Sequence, residues 1–523
     1  MDEAMPDDDF SAKSDSFVQW LHRNGTTISP KIELADLRSR NAGRGVLARD
    51  DIADDEELFT IPRSSTLTAE SSSLPKHIKE RFDDQWLSLI AAMIFEYQRG
   101  DESTWKPYFD VLPGKFNTLM FWSDSELQHL EGSAVINKIG KKSAGETFKT
   151  KVIPVLKEHA DMFGLSDGSE DQLLALCHRM GSTIMAYAFD LEKPGLNNSN
   201  NEEDGWEEDE DETEILPKGM VPLADMLNAD ADRNNAKLYY EDDKVVMKSI
   251  KLIKAGEEIL NDYGPLPSAD LLRRYGYTTM NYQKYDIVEI SLEIIKQAAT
   301  EQQQLPTKQL IERTAYLDEQ GVVEEGYDIS HASNPENQQF PDELCILLNT
   351  LTLAKSEFDK MKKKDKLPKY ALSAASAQLL YTILVRRRAE YNFDTLKDRI
   401  KSLQQTTTSH VFSSMGDSNG QLDEETASTR HEYALLIIGE EKKILQEAAE
   451  AVQEILGSDG GDNRKRKAPS DTFEEEAKSV RAAQGKPMNQ EQALNERLGL
   501  GGSQQGRRTD LESKGKRTKY SGV

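Results

Sequence analysis

The sequence predicts an α+β protein: a core of small β-sheets split by a helical insert, followed by an all-α C-terminal domain and a disordered tail. Three observations lead there. Short apolar runs bounded by turn residues lie on both sides of a long stretch with helical periodicity. Helical periods then dominate from Asp286 to about Leu456, and beyond Gly457 the composition turns rich in Gly, Ser, Gln and Lys. At 523 residues the chain exceeds one ordinary core, so two or three domains plus tails are expected.

Residues 1–16 are acidic and Ser-rich, and a disordered start is expected there. Phe17-Val18-Gln19-Trp20-Leu21 reads as the first helix. Val46-Leu47-Ala48 and Leu58-Phe59-Thr60-Ile61-Pro62, separated by the polar stretch from Asp50 to Asp55, read as strands paired through a turn. From Trp86 to Tyr97 the apolar residues recur at helical spacing, with Asp83 and Asp84 placed to cap the start. Further helical stretches at 125–130, 151–163 and 171–189 make 70–212 a helical insert, and 197–214, almost wholly polar and acidic, reads as a mobile loop within it. Strand patterns return at 237–240, 244–248 and 257–260, which closes a first domain spanning 17–285. Residues 286–456 form the separate helical domain, with helices over 371–391 and 431–456 around a polar stretch at 404–428. Residues 457–523 form the tail, in which Asn463-Arg464-Lys465-Arg466-Lys467 and Lys514-Gly515-Lys516-Arg517 are basic clusters; the first is expected to act as a nuclear-import signal, which places the protein in the nucleus and in the cytoplasm that precedes import.

The formal charge is −27, with a sequence pI near 4.9, which argues against general binding to nucleic acid or to an anionic membrane and suits basic partners. The two cysteines, Cys177 and Cys345, lie in apolar stretches, and Met1-Asp2-Glu3-Ala4 shows no basic segment leading into an apolar core; an intracellular, reducing compartment is expected. No apolar run approaches the length that spans a bilayer. The eight histidines are scattered and the cysteines far apart, so no metal site is expected.

Four stretches carry candidate chemistry. In Asn41-Ala42-Gly43-Arg44-Gly45-Val46, glycines flank one residue ahead of a strand; this pattern lets backbone approach a ligand closely, or serves a hairpin turn. Val221-Pro222-Leu223-Ala224-Asp225-Met226-Leu227-Asn228 is followed by Glu258-Ile259-Leu260-Asn261-Asp262-Tyr263-Gly264 and by Leu272-Arg273-Arg274-Tyr275-Gly276-Tyr277. Taken singly, Asn228 reads as a turn residue, Asp225 as a helix cap or salt-bridge partner, and each tyrosine as a turn or packing residue.

Taken together, these stretches resemble the catalytic end of SET-domain lysine methyltransferases, in the branch of plant Rubisco lysine methyltransferase and above all the fungal ribosomal-protein lysine methyltransferases. The resemblance spans about 17–455, and implies a SET core of small sheets with a threaded C-terminal segment and a helical substrate-binding domain. It further implies S-adenosyl-L-methionine as the cofactor, lined by Ala42, Gly43 and Arg44 through backbone contacts. Asn228 and Ala229 fall on the family's Asn-His pair; with Ala229 in place of histidine, packing against the adenine is expected to be lost while backbone hydrogen bonds remain. Tyr263 falls on the catalytic tyrosine. Methyl transfer to an amine is an in-line displacement in a narrow, partly dry channel, and a phenol aligns the reacting groups without offering a competing nucleophile. Tyr275 falls on the second tyrosine, closing the cofactor and lysine pocket, with Asp225 on the substrate side and Tyr187 on the cofactor side. Trp105-Lys106-Pro107-Tyr108 and Phe121-Trp122 resemble aromatic anchors of the insert. The implied partner is a basic protein, a ribosomal protein in the first reading, with neither nucleic acid nor membrane bound directly and the oligomeric state left open. A histone or transcription-factor methyltransferase, or a SET-like binding module without catalysis, remain the alternatives.

Overall fold

The computed structural model describes residues 8–40, 42–165, 168–191, 216–391, 424–458 and 469–484. Its strands, in chain order, are β1 (Thr27–Ile28), β2 (Ile32–Asp36), β3 (Arg44–Ala48), β4 (Glu57–Pro62), β5 (Ala188–Asp190), β6 (Lys218–Met220), β7 (Ala236–Tyr240), β8 (Lys244–Ser249), β9 (Glu258–Ile259), β10 (Ile287–Ser291) and β11 (Gly326–Ser330). They form four small sheets, ordered β1-β4-β8-β7, β2-β3-β9, β5-β6 and β10-β11, and every strand pair is antiparallel. The expected strands are all present, yet the expected pairing of β3 with β4 is not. β3 pairs with β2 and β9, while β4 pairs with β1 and β8. The intervening Ile52, fully buried, is the reason: it bridges to Ile253 and carries the chain across from one sheet to the other instead of turning back.

The insert lies between β4 and β6. Its helix Gln85–Gln98 starts where Asp84 accepts a hydrogen bond from the Leu87 amide at 2.9 Å, and Leu89, Ile90, Met93 and Ile94 are fully buried against the sheets. The helix Glu170–Tyr187 is closed at its start by a Ser169/Gln172 capping box. It ends two residues before the expected 189, because Ala188–Asp190 becomes β5 and pairs with β6. The acidic stretch 197–214 lies outside the described residues.

The insert is not one unit. Leu119, Trp122, Leu127, Leu130, Val135 and Ile136 are buried in the core of the C-terminal domain, whereas Leu89, Ile90, Phe148 and Met180 belong to the core of the sheets. Arg430, almost fully buried on the helix Glu424–Ser458, fastens this junction: it pairs with Glu126 at 3.1 Å and donates to the carbonyls of Phe116 and Phe121.

Three expectations are corrected. A disordered start through 16 is replaced, from Asp8 onward, by the helix Asp8–Arg23. The anchor is Phe10, whose ring lies 3.8 Å from the Arg44 guanidinium and 4.0 Å from that of Arg38, an attraction composition alone does not reveal. The C-terminal domain is not all-α, since β10 and β11 pair along their whole length. Val288, Ile290, Tyr327 and Ile329 are buried, the period-two pattern of a sheet with one face inward. The tail after 457 is not wholly without structure either. The helix Pro469–Ala483 buries Phe473 and Ala477 against the helix Ala374–Ala389, Glu474 pairs with Arg388 at 2.7 Å, and Arg481 donates to the carbonyls of Ala389, Glu390 and Tyr391. The basic cluster at 463–467 and that at 514–517 lie outside the described residues. No described helix is long and apolar enough to cross a membrane.

Candidate active site

The segment from Glu258 to Asn261 runs between two partners. On one side β9 pairs with β3; on the other the Asn261 amide donates to the Asn228 carbonyl at 2.8 Å and the Asp230 amide to the Asn261 carbonyl at 3.1 Å. The Asn235 side chain holds the same segment, accepting from the Leu260 amide and donating to the Glu258 carbonyl, both at 2.8 Å. This double clamp fixes where the next residues, Asp262 and Tyr263, begin.

Asn228 is the knot of the arrangement. Its side-chain amide donates to the carbonyls of Ala42 and Arg44 at 3.3 and 3.2 Å and to Glu258 Oε1 at 2.7 Å. So close an approach requires Gly45, where an added Cβ would come within 2.9 Å of both Asn228 Nδ2 and Glu258 Oε1 and still closer to Leu37. Gly45 therefore serves an internal contact, not a ligand. Gly43 differs: it takes φ +62°, and nothing lies within 4 Å of the position its Cβ would occupy. Of the glycine pair in the sequence, Gly43 is the one with room for a bound group. The Arg44 side chain points away, donating to Ser14 Oγ and the Val111 carbonyl, so only its backbone remains for the site.

Asp225 sits in the turn Ala224–Met226 after Leu223, a buried non-glycine residue held at φ +84°. Such a conformation persists only where surrounding contacts enforce it. The Asp225 carboxyl is 4% exposed; Oδ2 accepts a short hydrogen bond from the Tyr108 hydroxyl, and Oδ1 has no protein partner. Burial pushes its pKa up to about 8, against the lowering effect of the Tyr108 hydroxyl. The Tyr108 phenol, fully buried and facing this carboxyl, is pushed well above its ordinary value.

Tyr263 and Tyr275 stack with ring centroids 4.2 Å apart and planes 10° from parallel. Tyr275 ends the helix Ser268–Tyr275, whose buried Leu271 and Leu272 pin its orientation. Tyr277 stands 6.5 Å from Tyr275, centroid to centroid. Loss of surrounding water pushes the phenols of Tyr263, Tyr275, Tyr277 and Tyr187 all upward, Tyr187 to about 12, and Tyr263 feels Tyr277, Tyr275, Tyr187 and Asp225 as neighbours. All four stay protonated near neutrality, giving a cluster of neutral phenols of which Tyr263 and Tyr187 lie near the buried Asp225 carboxyl. An aromatic, largely dry lining of this kind suits a weakly hydrated sulfonium and disfavours a strongly hydrated ammonium.

A cavity of about 420 Å³ lined by Ala229, Asp230, Arg233, Thr279, Met280 and Asn281 adjoins the Asn228 clamp. Ala229 pairs with Asn261 through backbone and leaves the cavity wall low. Together with the open space at Gly43 and the aromatic lining, these residues fit a nucleoside-bearing sulfonium.

The structure thus brings Asp225, Asn228, Ala229, Tyr263, Tyr275 and Tyr187 into one neighbourhood, with Ala42, Gly43 and Arg44 reached through Asn228. Three contributors were not legible as such: Tyr108, which reads as a packing anchor and proves also to hydrogen-bond Asp225; Glu258, the third acceptor for Asn228; and Tyr277. Glu258 and Tyr277 both lie inside motifs quoted above, so their neighbourhood, though not their role, had a local signal. Tyr108 is 117 residues from its partner.

Small antiparallel sheets, with a segment held between β3 and residues 228–230 that leads into stacked tyrosines, accord with a SET domain, and residues 43–264 match the SET-domain family model. The chain is 36% identical over 367 residues to ribosomal lysine N-methyltransferase 4 of Saccharomyces cerevisiae, a match covering 66% of this chain and 72% of that one. It is 30% identical over 361 residues to N-lysine methyltransferase SETD6 of Mus musculus, covering 66% and 72%. The structure of Rubisco LSMT bound to AdoMet is similar with a TM-score of 0.59 at 19% identity, covering 85% of this chain and 92% of that one. The chain belongs to the SET-domain protein N-lysine methyltransferases.

Proposed function

We propose that this protein transfers a methyl group from S-adenosyl-L-methionine to a lysine of a ribosomal protein, and that it works in the nucleus. The observation that carries the catalytic part is Tyr263, stacked on Tyr275 and within electrostatic reach of the buried Asp225. When bound, the cofactor supplies an electrophilic methyl group on a sulfonium. The backbone at Ala42, Gly43 and Arg44 and at Asn228 and Ala229 is placed to hold it, with Gly43 leaving room. The Tyr263 hydroxyl, neutral and poorly hydrated, orients the incoming amine. Tyr275 walls the opposite side, and the dry lining favours the uncharged amine that has a lone pair to react.

The ribosomal assignment is supported by the name of the yeast relative and by the −27 charge, which suits a basic partner. Incubating the enzyme with labelled S-adenosyl-L-methionine and lysate from a strain lacking it, then mapping the labelled peptide, tests it. Label confined to histones or transcription factors would sink the ribosomal reading and leave the lysine chemistry intact.

A further inference from the structure

The negative charge of the chain is not evenly spread. Between Lys355 and Tyr370, seven lysines stand against three carboxylates. Lys355 and Lys362 are paired with Glu312, at 3.5 and 3.7 Å, and Lys355 also with Asp359. Lys360, Lys363, Lys364, Lys366 and Lys369 are exposed and form no salt bridge among the described residues. Lysines in the last turn of the helix Lys355–Lys363 complement its dipole. That accounts for Lys360, Lys362 and Lys363. Lys364, Lys366 and Lys369 lie beyond the helix, where the dipole asks for nothing.

The connection that carries these three is built, not loose. Tyr316 donates to the Lys366 carbonyl at 3.1 Å, and Asn349 donates to the carbonyls of Lys369 and Ala371 at 2.9 Å each; both side chains are buried. Gln320 reaches Asp365, which takes φ +47°. Pinned from beneath, the segment turns Leu367 and Tyr370 outward, 37% and 60% exposed, and Tyr370 has no hydrogen-bond partner among the described residues. Ile311, on the helix Thr307–Glu319 that supplies Tyr316 and Glu312, is 62% exposed. Unpaired ammonium groups interleaved with an exposed aromatic ring and an aliphatic side chain match a ligand that alternates negative charge with flat apolar faces. Phosphates and unpaired bases have that alternation. An acidic peptide would meet the lysines and leave Tyr370 and Leu367 unmatched.

We infer that the surface formed by Lys363, Lys364, Lys366, Lys369, Leu367 and Tyr370 docks a single-stranded RNA segment, with phosphates on the lysines and a base stacked on Tyr370. The overall charge opposes nucleic acid in general, so this contact is local and its range is set by screening. The choice of RNA over DNA rests on the ribosomal reading; the surface itself does not.

The test uses the full chain and fluorescence anisotropy with a labelled uridine oligomer of about twelve nucleotides, a span suited to a single strand-binding surface. A deoxythymidine oligomer and a polyglutamate peptide of the same length serve as the other arms. The RNA is expected to bind saturably, with a log–log salt slope of about −2 for three phosphates. Lys364→Ala/Lys366→Ala/Lys369→Ala should weaken binding tenfold or more, and Tyr370→Ala about five- to a hundredfold, the range of one lost base stack. Far-UV circular dichroism and methyl transfer to a free lysine peptide should stay unchanged in both variants. No RNA binding, binding indifferent to Tyr370→Ala or to the triple substitution, or equal affinity for polyglutamate overturns the surface assignment. Tighter binding of the DNA oligomer overturns the choice of RNA. Because none of these arms reads the methylated protein, failure here is distinct from failure of the ribosomal reading.

Discussion

The Tyr108 hydroxyl donates to Asp225, joining the insert to the catalytic core through two residues that are both buried. Asp225 has no other side-chain donor, and its second oxygen is unpartnered. Tyr108→Phe removes the carboxyl's one side-chain donor in a dry site and leaves it only the backbone amides of Leu223 and Asp225. Urea denaturation should show a loss of about 1–3 kcal/mol, the cost of an unsatisfied buried polar group. An unchanged midpoint would mean that water replaces the phenol.

The same carboxyl gives stability a pH dependence. Its folded pKa, near 8, lies above the ordinary value of 3.8, so the folded state holds its proton more tightly than the unfolded state does. The contribution of Asp225 is then fully present below about pH 4 and is lost as pH rises through about 8. Asp225→Asn should flatten the decline in unfolding free energy between pH 5 and 8 relative to wild type, measured without ligand. Parallel profiles for the two proteins would show that Asp225 is ionised throughout.

Tyr263→Phe keeps the stacked ring and removes the oriented hydroxyl. Cofactor affinity by calorimetry should be nearly unchanged while kcat falls by about 2–4 kcal/mol in barrier terms, the worth of one positioned polar contact in a transition state. Near-normal turnover would remove Tyr263 from the mechanism.

At Ala229 the backbone is tied to Asn261 and the side chain borders the cavity, so an imidazole has room. Ala229→His should leave S-adenosyl-L-methionine affinity within about 1.4 kcal/mol of the original. A much larger gain would mean that alanine weakens this enzyme and would favour a module with degraded catalysis.

Phe473 is fully buried and packs 6.1 Å from Tyr381, centroid to centroid. Phe473→Ala should cost about 3–5 kcal/mol and lower the melting temperature. Removing everything from 457 onward would do the same damage, so nuclear import is better tested by alanines at Arg464, Lys465, Arg466 and Lys467. Those substitutions should move a fluorescent fusion to the cytoplasm without lowering its melting temperature. Persistent nuclear accumulation would reject the signal.

What the sequence revealed followed period and motif. Strands at 44–48, 57–62 and 237–248 and the helix capped by Asp84 were legible because short-range spacing encodes them. The tyrosines and Asn228 were legible because their order along the chain is itself the motif. Partnership was not: nothing near Val46 says that its neighbour is Ile259 in place of the strand at Leu58, and nothing near Tyr108 points to Asp225. The strand Ile287–Ser291 was hidden for another reason, since five residues of alternation are outweighed by the helices around them.

Because Leu119, Trp122, Leu130 and Ile139 are buried in the C-terminal core while Leu89, Ile90, Phe148 and Met180 pack with the sheets, the two lobes share one stretch of chain as common filling. A cut at 285 would not yield two modules; it would strip one lobe of its centre. Such a lineage cannot retarget itself by exchanging the C-terminal half for another, and new substrates must be reached by altering exposed residues on a scaffold whose halves are inherited together.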